Sequence, residues 1–391
     1  MHDKMEEKNE DMPSTPSPEN NDQGAENQPS SDQVNEGASP TGANETTPPP
    51  LPEDAAPAVP AAPAAPLEGV PSVEHVDVSP VANAAMKIRQ EISKLVVGQT
   101  EMIELLLAGV LTGGHVLLEG YPGIAKTLTA KMLARSISSE FSRIQFTPDL
   151  MPTDVTGTSV FNMKESTFSF RKGPIFSNII LIDEINRAPA KTQASLMEVM
   201  EEKQITYDGT TYELGFPFFV IATQNPIEQE GTYQLPEAQL DRFVFRIRVP
   251  YPVLAEEQQI LRRFKQDFAS KQQETVNPVI SIDELKKARE VIEAVYIKDE
   301  LIDYIAAVVN NTRNNGDLFL GASPRASLAI LRTSKAIAAM RGRSFVTPDD
   351  IRHVSYPVLN HRVILSHERE MEGTTVEEVI KDILTTIEVP R

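Results

Sequence analysis

The stretch His115-Val116-Leu117-Leu118-Glu119-Gly120-Tyr121-Pro122-Gly123-Ile124-Ala125-Lys126-Thr127-Leu128 decides the fold. It opens as a short apolar strand and closes on a helical pattern that runs from Thr127 to Ser136, with a glycine-bearing turn between. Strand, glycine turn and helix in that order are the context in which a G-x-x-x-x-G-K-[ST]-like string holds phosphate. Gly120 and Gly123 let backbone N–H groups turn toward an anion with no Cβ in the way. The helix start adds further donors and partial positive charge. Lys126 is expected to reach the β- and γ-phosphates and Thr127 to offer its hydroxyl to Mg²⁺. Tyr121, Pro122, Ile124 and Leu128 complete the cradle. One position departs from the general pattern: Ala125 stands where glycine is usual. Alanine fits there if its φ is negative, and that is the expectation.

Short strings of this kind recur by chance, so the rest of the chain has to supply the machinery. Ile179-Ile180-Leu181-Ile182 reads as a buried strand ending in Asp183-Glu184, the C-terminal end at which an α/β sheet places its chemistry. Asp183 is a candidate Mg²⁺ holder and Glu184 a candidate base for the attacking water, although Asp183 could equally cap the helix that follows. The strand Phe218–Ala222 runs into Thr223-Gln224-Asn225-Pro226, where Asn225 could bond phosphate or water or could serve as ordinary turn chemistry. Val244–Val249 is a further strand. Strands alternating with helices predict a mainly parallel sheet with helices on both faces. After Pro252 the pattern reads as wholly helical. Ser281-Ile282-Asp283-Glu284 forms a capping box, and Pro348 takes the first helical position after Thr347. The expected domains are an α/β nucleotide-binding domain over 81–251 and a smaller helical domain over 252–391.

Residues 1–80 differ in kind. They hold 15 of the 30 prolines and −14 of the formal net charge of −19. Such a segment buries too little apolar surface to offset its ordering entropy, so a disordered acidic tail rich in Pro and Ala is expected. The remaining −5 is a weak charge for the folded part. The chain has no cysteine, which excludes disulfides and thiolate metal sites. The six histidines show no zinc-ligand spacing. No apolar run approaches the roughly 18–20 residues that cross a bilayer, and no signal-like segment opens the sequence. A cytoplasmic protein is the expectation.

Four strings taken together carry a resemblance. They are Gly-Tyr-Pro-Gly-Ile-Ala-Lys-Thr at 120–127, Ile-Leu-Ile-Asp-Glu-Ile-Asn-Arg-Ala at 180–188, Ala-Thr-Gln-Asn-Pro at 222–226 and Leu-Asp-Arg-Phe at 240–243. Their order resembles the AAA+ ATPases, and within them the MoxR family. Gly321-Ala322-Ser323-Pro324-Arg325, Gly342–Asp350 and His361-Arg362-Val363 match the family's helical lid, and Ala125 matches its loop. The resemblance covers about residues 81–391. It implies ATP and Mg²⁺ as ligands and ATP hydrolysis as the reaction. It also implies that Arg242 is an arginine finger entering a neighbouring subunit's site, Asn225 a first sensor and Arg325 a lid sensor. Val97-Gly98-Gln99 would pack the adenine. Without the family, Arg242 would read as a surface ion pair and Arg325 as a first-turn helix residue. The resemblance further implies a homo-oligomeric ring, expected to be a hexamer. It also implies a protein client carrying a von Willebrand factor A domain, which would be remodelled, assembled or loaded with metal.

Two segments look inserted. Val160–Lys172 reads as a hairpin in which Phe168 and Phe170 share an apolar face. Gln204–Leu214 carries Asp208-Gly209, a strong hairpin turn. In related ATPases such hairpins line a ring's pore or face. Neither combines clustered Lys and Arg with aromatics as strand-binding proteins do, so a nucleic-acid remodelling ATPase is a minority reading. A magnesium-chelatase-type motor subunit would share this branch of ATPases, but the lid strings disfavour it. A scaffold that has lost hydrolysis is disfavoured by the intact Lys126, Thr127, Asp183, Glu184 and Arg242.

Overall fold

The computed structural model describes residues 76–226, 232–265 and 276–390. The expectation of a disordered tail over 1–80 therefore falls almost wholly outside the described residues. Two helices lead, α1 (Ser79–Ser93) and α2 (Thr100–Thr112). The sheet elements then alternate: β1 (His115–Gly120), α3 (Lys126–Ser136), β2 (Phe141–Gln145), α4 (Pro152–Thr156), the hairpin β3 (Gly157–Asn162) and β4 (Thr167–Lys172), β5 (Ile179–Asp183), α5 (Ala190–Glu202), the hairpin β6 (Gln204–Tyr207) and β7 (Thr210–Glu213), β8 (Phe219–Gln224), α6 (Glu237–Leu240) and β9 (Phe243–Val249). Helices dominate the remainder: α7 (Leu254–Phe264), α8 (Ile282–Glu293), α9 (Asp299–Arg313), α10 (Pro324–Met340), α11 (Pro348–Leu359), α12 (His367–Met371) and α13 (Val376–Thr386). That stretch is not wholly helical, because β10 (Leu318–Leu320) and β11 (Ile364–Leu365) pair antiparallel within it.

The main sheet runs β2-β5-β8-β1-β9, every neighbouring pair parallel. Successive side chains of a strand point to opposite faces, and the two cores divide accordingly. Val116, Leu118, Ile179, Leu181, Phe219 and Ile221 join the core that continues into α1, α2, α3 and the C-terminal helices. Their alternates Leu117, Ile180, Ile182, Val220 and Ala222 join a second core with Leu196, Met197 and Met200 of α5. The central strands are therefore apolar on both faces, which is why they read as continuous hydrophobic runs.

Helix starts follow the sequence signals. Ser281 accepts from the Glu284 N–H at 3.2 Å and Glu284 accepts from the Ser281 N–H at 2.7 Å. Thr347 and Asp350 form a second capping box, with Pro348 in the first turn. The hairpins form as well. Asp208 and Gly209 turn the second one with φ of 48° and 74°, the paired positive values of a two-residue turn matched to strand twist.

Candidate functional site

Gly120 ends β1 beside Val249 of β9. A Cβ on Gly120 would lie 2.7 Å from the Val249 carbonyl and 2.7 Å from Ile124 Cδ1, so only glycine lets the chain leave the strand there. Gly123 turns at φ 86°. Ala125 does not meet the expectation of negative φ: it is the N-cap of α3, left-handed at φ 62°, ψ 20°. The backbone geometry of the glycine loop is kept and the alanine is carried in it, at a strain of order 1 kcal/mol. Lys126 opens α3 and its Nζ donates to the Gly120 carbonyl at 2.6 Å, folding the ammonium over the loop's own concavity. Tyr121 stacks on Tyr251, 4.5 Å between centroids and 10° between planes, which ties the loop to the segment after β9.

Beside the loop, β5 and β8 end in a linked acidic pair. Asp183 is buried. It accepts from Arg143 Nε at 2.6 Å and from the Thr223 hydroxyl at 3.2 Å. The same Thr223 oxygen accepts from the Glu184 N–H at 3.0 Å. The Glu184 carboxylate accepts from Gln145 Nε2 at 2.8 Å and pairs with Arg187 at 3.0 Å. Glu184 is left-handed, φ 58°, ψ 53°, a second strained residue, and strain of this kind clusters where side chains must be aimed. Asp183 does not cap the following turn, which starts at Ile185 with Glu184 as N-cap and without a side-chain cap. Asn225 follows directly on β8, half-buried, at the same end of the sheet.

Val97, Gly98 and Gln99 lie at this end too. Gly98 and Gln99 are left-handed, and Gln99 Nε2 donates to the Pro250 carbonyl at 3.2 Å, one residue past the strand partner of Gly120.

Arg242 and Arg325 are elsewhere. Phe243 faces His115 at the opposite end of β1 from Gly120, a separation of about 17 Å at ~3.3 Å per strand residue. Arg242, just before Phe243, donates to the Met197 carbonyl at 3.0 Å and is ion-paired with Glu201. Arg325 pairs with the other oxygen of Glu201 at 2.6 Å. Both arginines line a cavity of about 260 Å³ with Glu201, Asp241, Arg332 and Arg362. Nearby, His115 is buried and pushed down to about 4 by desolvation. As the neutral ring it accepts from the Val220 N–H at 3.0 Å and donates to the Met200 carbonyl at 3.1 Å. It is part of the frame.

Two groupings result. The loop, Asp183, Glu184, Asn225 and Val97–Gln99 share one end of the sheet, and the two arginines share the other. Sequence reasoning missed Arg143, Gln145, Thr223 and Glu201. Thr223 lies inside the Ala-Thr-Gln-Asn-Pro string, so a signal for it existed. Arg143 and Gln145 alternate along an edge strand and carry no local mark, and Glu201 is one acidic residue among several on α5.

The glycines that only a bare backbone satisfies, and the oxygen donors Thr127 and Asp183, fit a Mg²⁺-nucleotide. Among the described residues no cluster of three or more His, Cys, Asp or Glu suggests another metal, and no helix is long and apolar enough to cross a membrane. The arrangement defines a P-loop ATPase core with a helical lid. The ATPase family associated with various cellular activities (AAA) matches residues 115–245, and the AAA lid domain matches residues 310–383. Chaperone MoxR1 of Mycobacterium tuberculosis is 42% identical, over 77% of this chain and 81% of that protein. The uncharacterized protein YeaC of Bacillus subtilis is 43% identical, over 80% of this chain and 96% of that protein. A crystal structure from Cytophaga hutchinsonii, of a chain assigned as an ATPase, superposes with a TM-score of 0.74 at 43% identity and covers 80% of this chain and 96% of that one. The chain belongs to the MoxR family of AAA+ ATPases.

Proposed function

We propose that this chain hydrolyses ATP to ADP and phosphate at sites shared between neighbouring subunits of a ring, and that the cycle remodels partner proteins. The observation that carries the reading is the division of the site between the two ends of one parallel sheet. Lys126 and the loop's N–H groups bind phosphate. Thr127 and Asp183 hold Mg²⁺, which neutralises phosphate charge when bound. Glu184, braced by Gln145 and Arg187, takes the proton of the attacking water, and Asn225 orients water or phosphate. Arg242 and Arg325 cannot reach their own loop across the sheet, so they serve the next subunit's. Arginines in this role contribute roughly 10³–10⁵ in rate.

In this reading residues 81–251 bind nucleotide and 252–391 form the lid, six subunits close the ring, and it works in the cytoplasm. The relative's name supports a chaperone role. The client class, proteins with von Willebrand factor A domains whose assembly or metal loading would be assisted, follows from the family resemblance. The tip of the first hairpin is the candidate contact: Phe161 and Phe168 pack together at 5.1 Å yet stay exposed, and Met163 is 86% exposed.

The test mixes Arg242→Ala subunits with Glu184→Gln subunits. Each is expected to be inactive alone and the mixture active, because an Arg242→Ala loop gains the neighbour's intact arginine. If no ratio turns over faster than either variant alone, the shared site is wrong. A pull-down with Glu184→Gln and ATP, probed for von Willebrand A proteins of the same genome, checks the client; no nucleotide-dependent capture removes that part.

A further inference from the structure

Arg242 and Arg325 come from distant parts of the chain and meet on one carboxylate. Glu201 gives one oxygen to Arg242 and the other to Arg325. The three environments differ in what they need. Arg242 lies against the C-terminal half of α5, the end whose partial negative charge favours a cation, and it already bonds the Met197 carbonyl. Arg325 is the second residue of α10, at the positive end of that helix, where a cation is disfavoured without a counter-charge. Two guanidiniums side by side also repel each other. The other acidic group of the cavity, Asp241, is committed elsewhere: it accepts from Arg362 Nε at 2.7 Å and from the Ser323 hydroxyl at 3.0 Å. Glu201 is the group that balances the pair.

We propose that Glu201 is a positioning residue that holds Arg242 and Arg325 together as one preformed clamp for the phosphate bound by the neighbouring subunit. The proposal rests on the reading of both arginines as serving that neighbour. Glu201 touches no reacting atom. It fixes the spacing of the guanidiniums, and each keeps further N–H donors for the incoming anion. It also gives α5 two tasks, since the helix starts a few residues after Glu184 and ends on the arginine clamp.

The test compares full-length wild type, Glu201→Gln and Glu201→Asp in steady-state ATP turnover, with nucleotide affinity and melting temperature followed alongside. In Glu201→Gln, kcat is expected to fall roughly tenfold or more, with KM and nucleotide affinity within about twofold. Glu201→Asp should keep intermediate turnover. When Glu201→Gln subunits are mixed with Glu184→Gln subunits, whose arginine clamp is intact, turnover should rise above either alone. Unchanged kcat in Glu201→Gln, together with loss in Arg242→Ala, overturns the role of Glu201 and leaves the arginine reading standing. Full turnover in Arg242→Ala overturns that reading and the clamp with it. A kcat loss that mixing does not relieve assigns Glu201 to its own subunit and overturns the proposal. Should Glu201→Gln not fold, Glu201→Asp carries the same comparison, because its shorter carboxylate cannot span both arginines without moving one.

Discussion

The two left-handed residues Ala125 and Glu184 bracket the phosphate site, one at the start of α3 and one at the end of β5. Glycine would relieve the first. In a helix interior Ala→Gly costs about 1 kcal/mol, but at positive φ the sign reverses, because the Cβ clash exceeds the extra unfolded-state entropy of glycine. Ala125→Gly is therefore expected to stabilise the protein by about 0.5–1 kcal/mol, read as a higher urea midpoint at unchanged slope. A lower midpoint would mean that the φ of 62° carries no strain. The same residue marks where sequence reading stops. The string 120–127 identified the loop, yet the sign of φ at Ala125 depends on how β1 and α3 are set against each other, which no local string encodes.

Between elements, one side chain of α2 ties together three further helices, α1, α10 and α11. Glu104 accepts from His353 of α11 at 3.1 Å and pairs with Arg341, at the end of α10, at 3.4 Å, and with Arg89 of α1 at 3.7 Å. The His353 hydrogen bond, helped by Arg341 and opposed by burial, holds its carboxyl down at about 2, against an ordinary 4.5. A folded-state value below the unfolded one means stability that is present above about pH 4.5 and lost as pH falls toward 2. Glu104→Gln should cost roughly 1–3 kcal/mol at pH 7, and the gap to wild type should close across that acid window in chemical denaturation. A gap that does not vary with pH would assign the cost to packing instead. The elements themselves were legible because α8 and α11 announce their caps and β6–β7 its Asp-Gly turn. The partition of the first hairpin was not. Phe168 and Phe170 alternate as one face, but Phe168 stays exposed with Phe161 while Phe170 stacks on Tyr207 and Tyr212 of the second hairpin at 4.9 and 4.7 Å. Which hairpin meets which is a tertiary fact.

For the molecule as a whole, the proposed division of the site between copies would make activity a function of assembly. Turnover per subunit should rise steeply with protein concentration over the range in which sedimentation shows rings forming, and flatten above it. Constant turnover per subunit down to monomeric concentrations would show that one copy suffices. The parallel order of the main sheet was legible from strands alternating with helices. The meeting of Arg242 and Arg325 on Glu201 was not, because the three lie far apart in the chain and no local string joins them.

The opposite placement of loop and arginines on β1 and β9 has a genetic consequence. On the proposed shared site the contacts would be head-to-tail, joining two different surfaces, so each copy would be donor to one neighbour and recipient from the other. In such a ring, a copy that lost only its arginines would keep its own hydrolytic centre and silence the next one. Expressed beside the normal protein, such a copy is expected to poison rings in proportion to its share, as a dominant defect. A copy that lost only Glu184 would fail at its own centre and still serve its neighbour. On that reading, two alleles that are each null are expected to complement one another within a single ring.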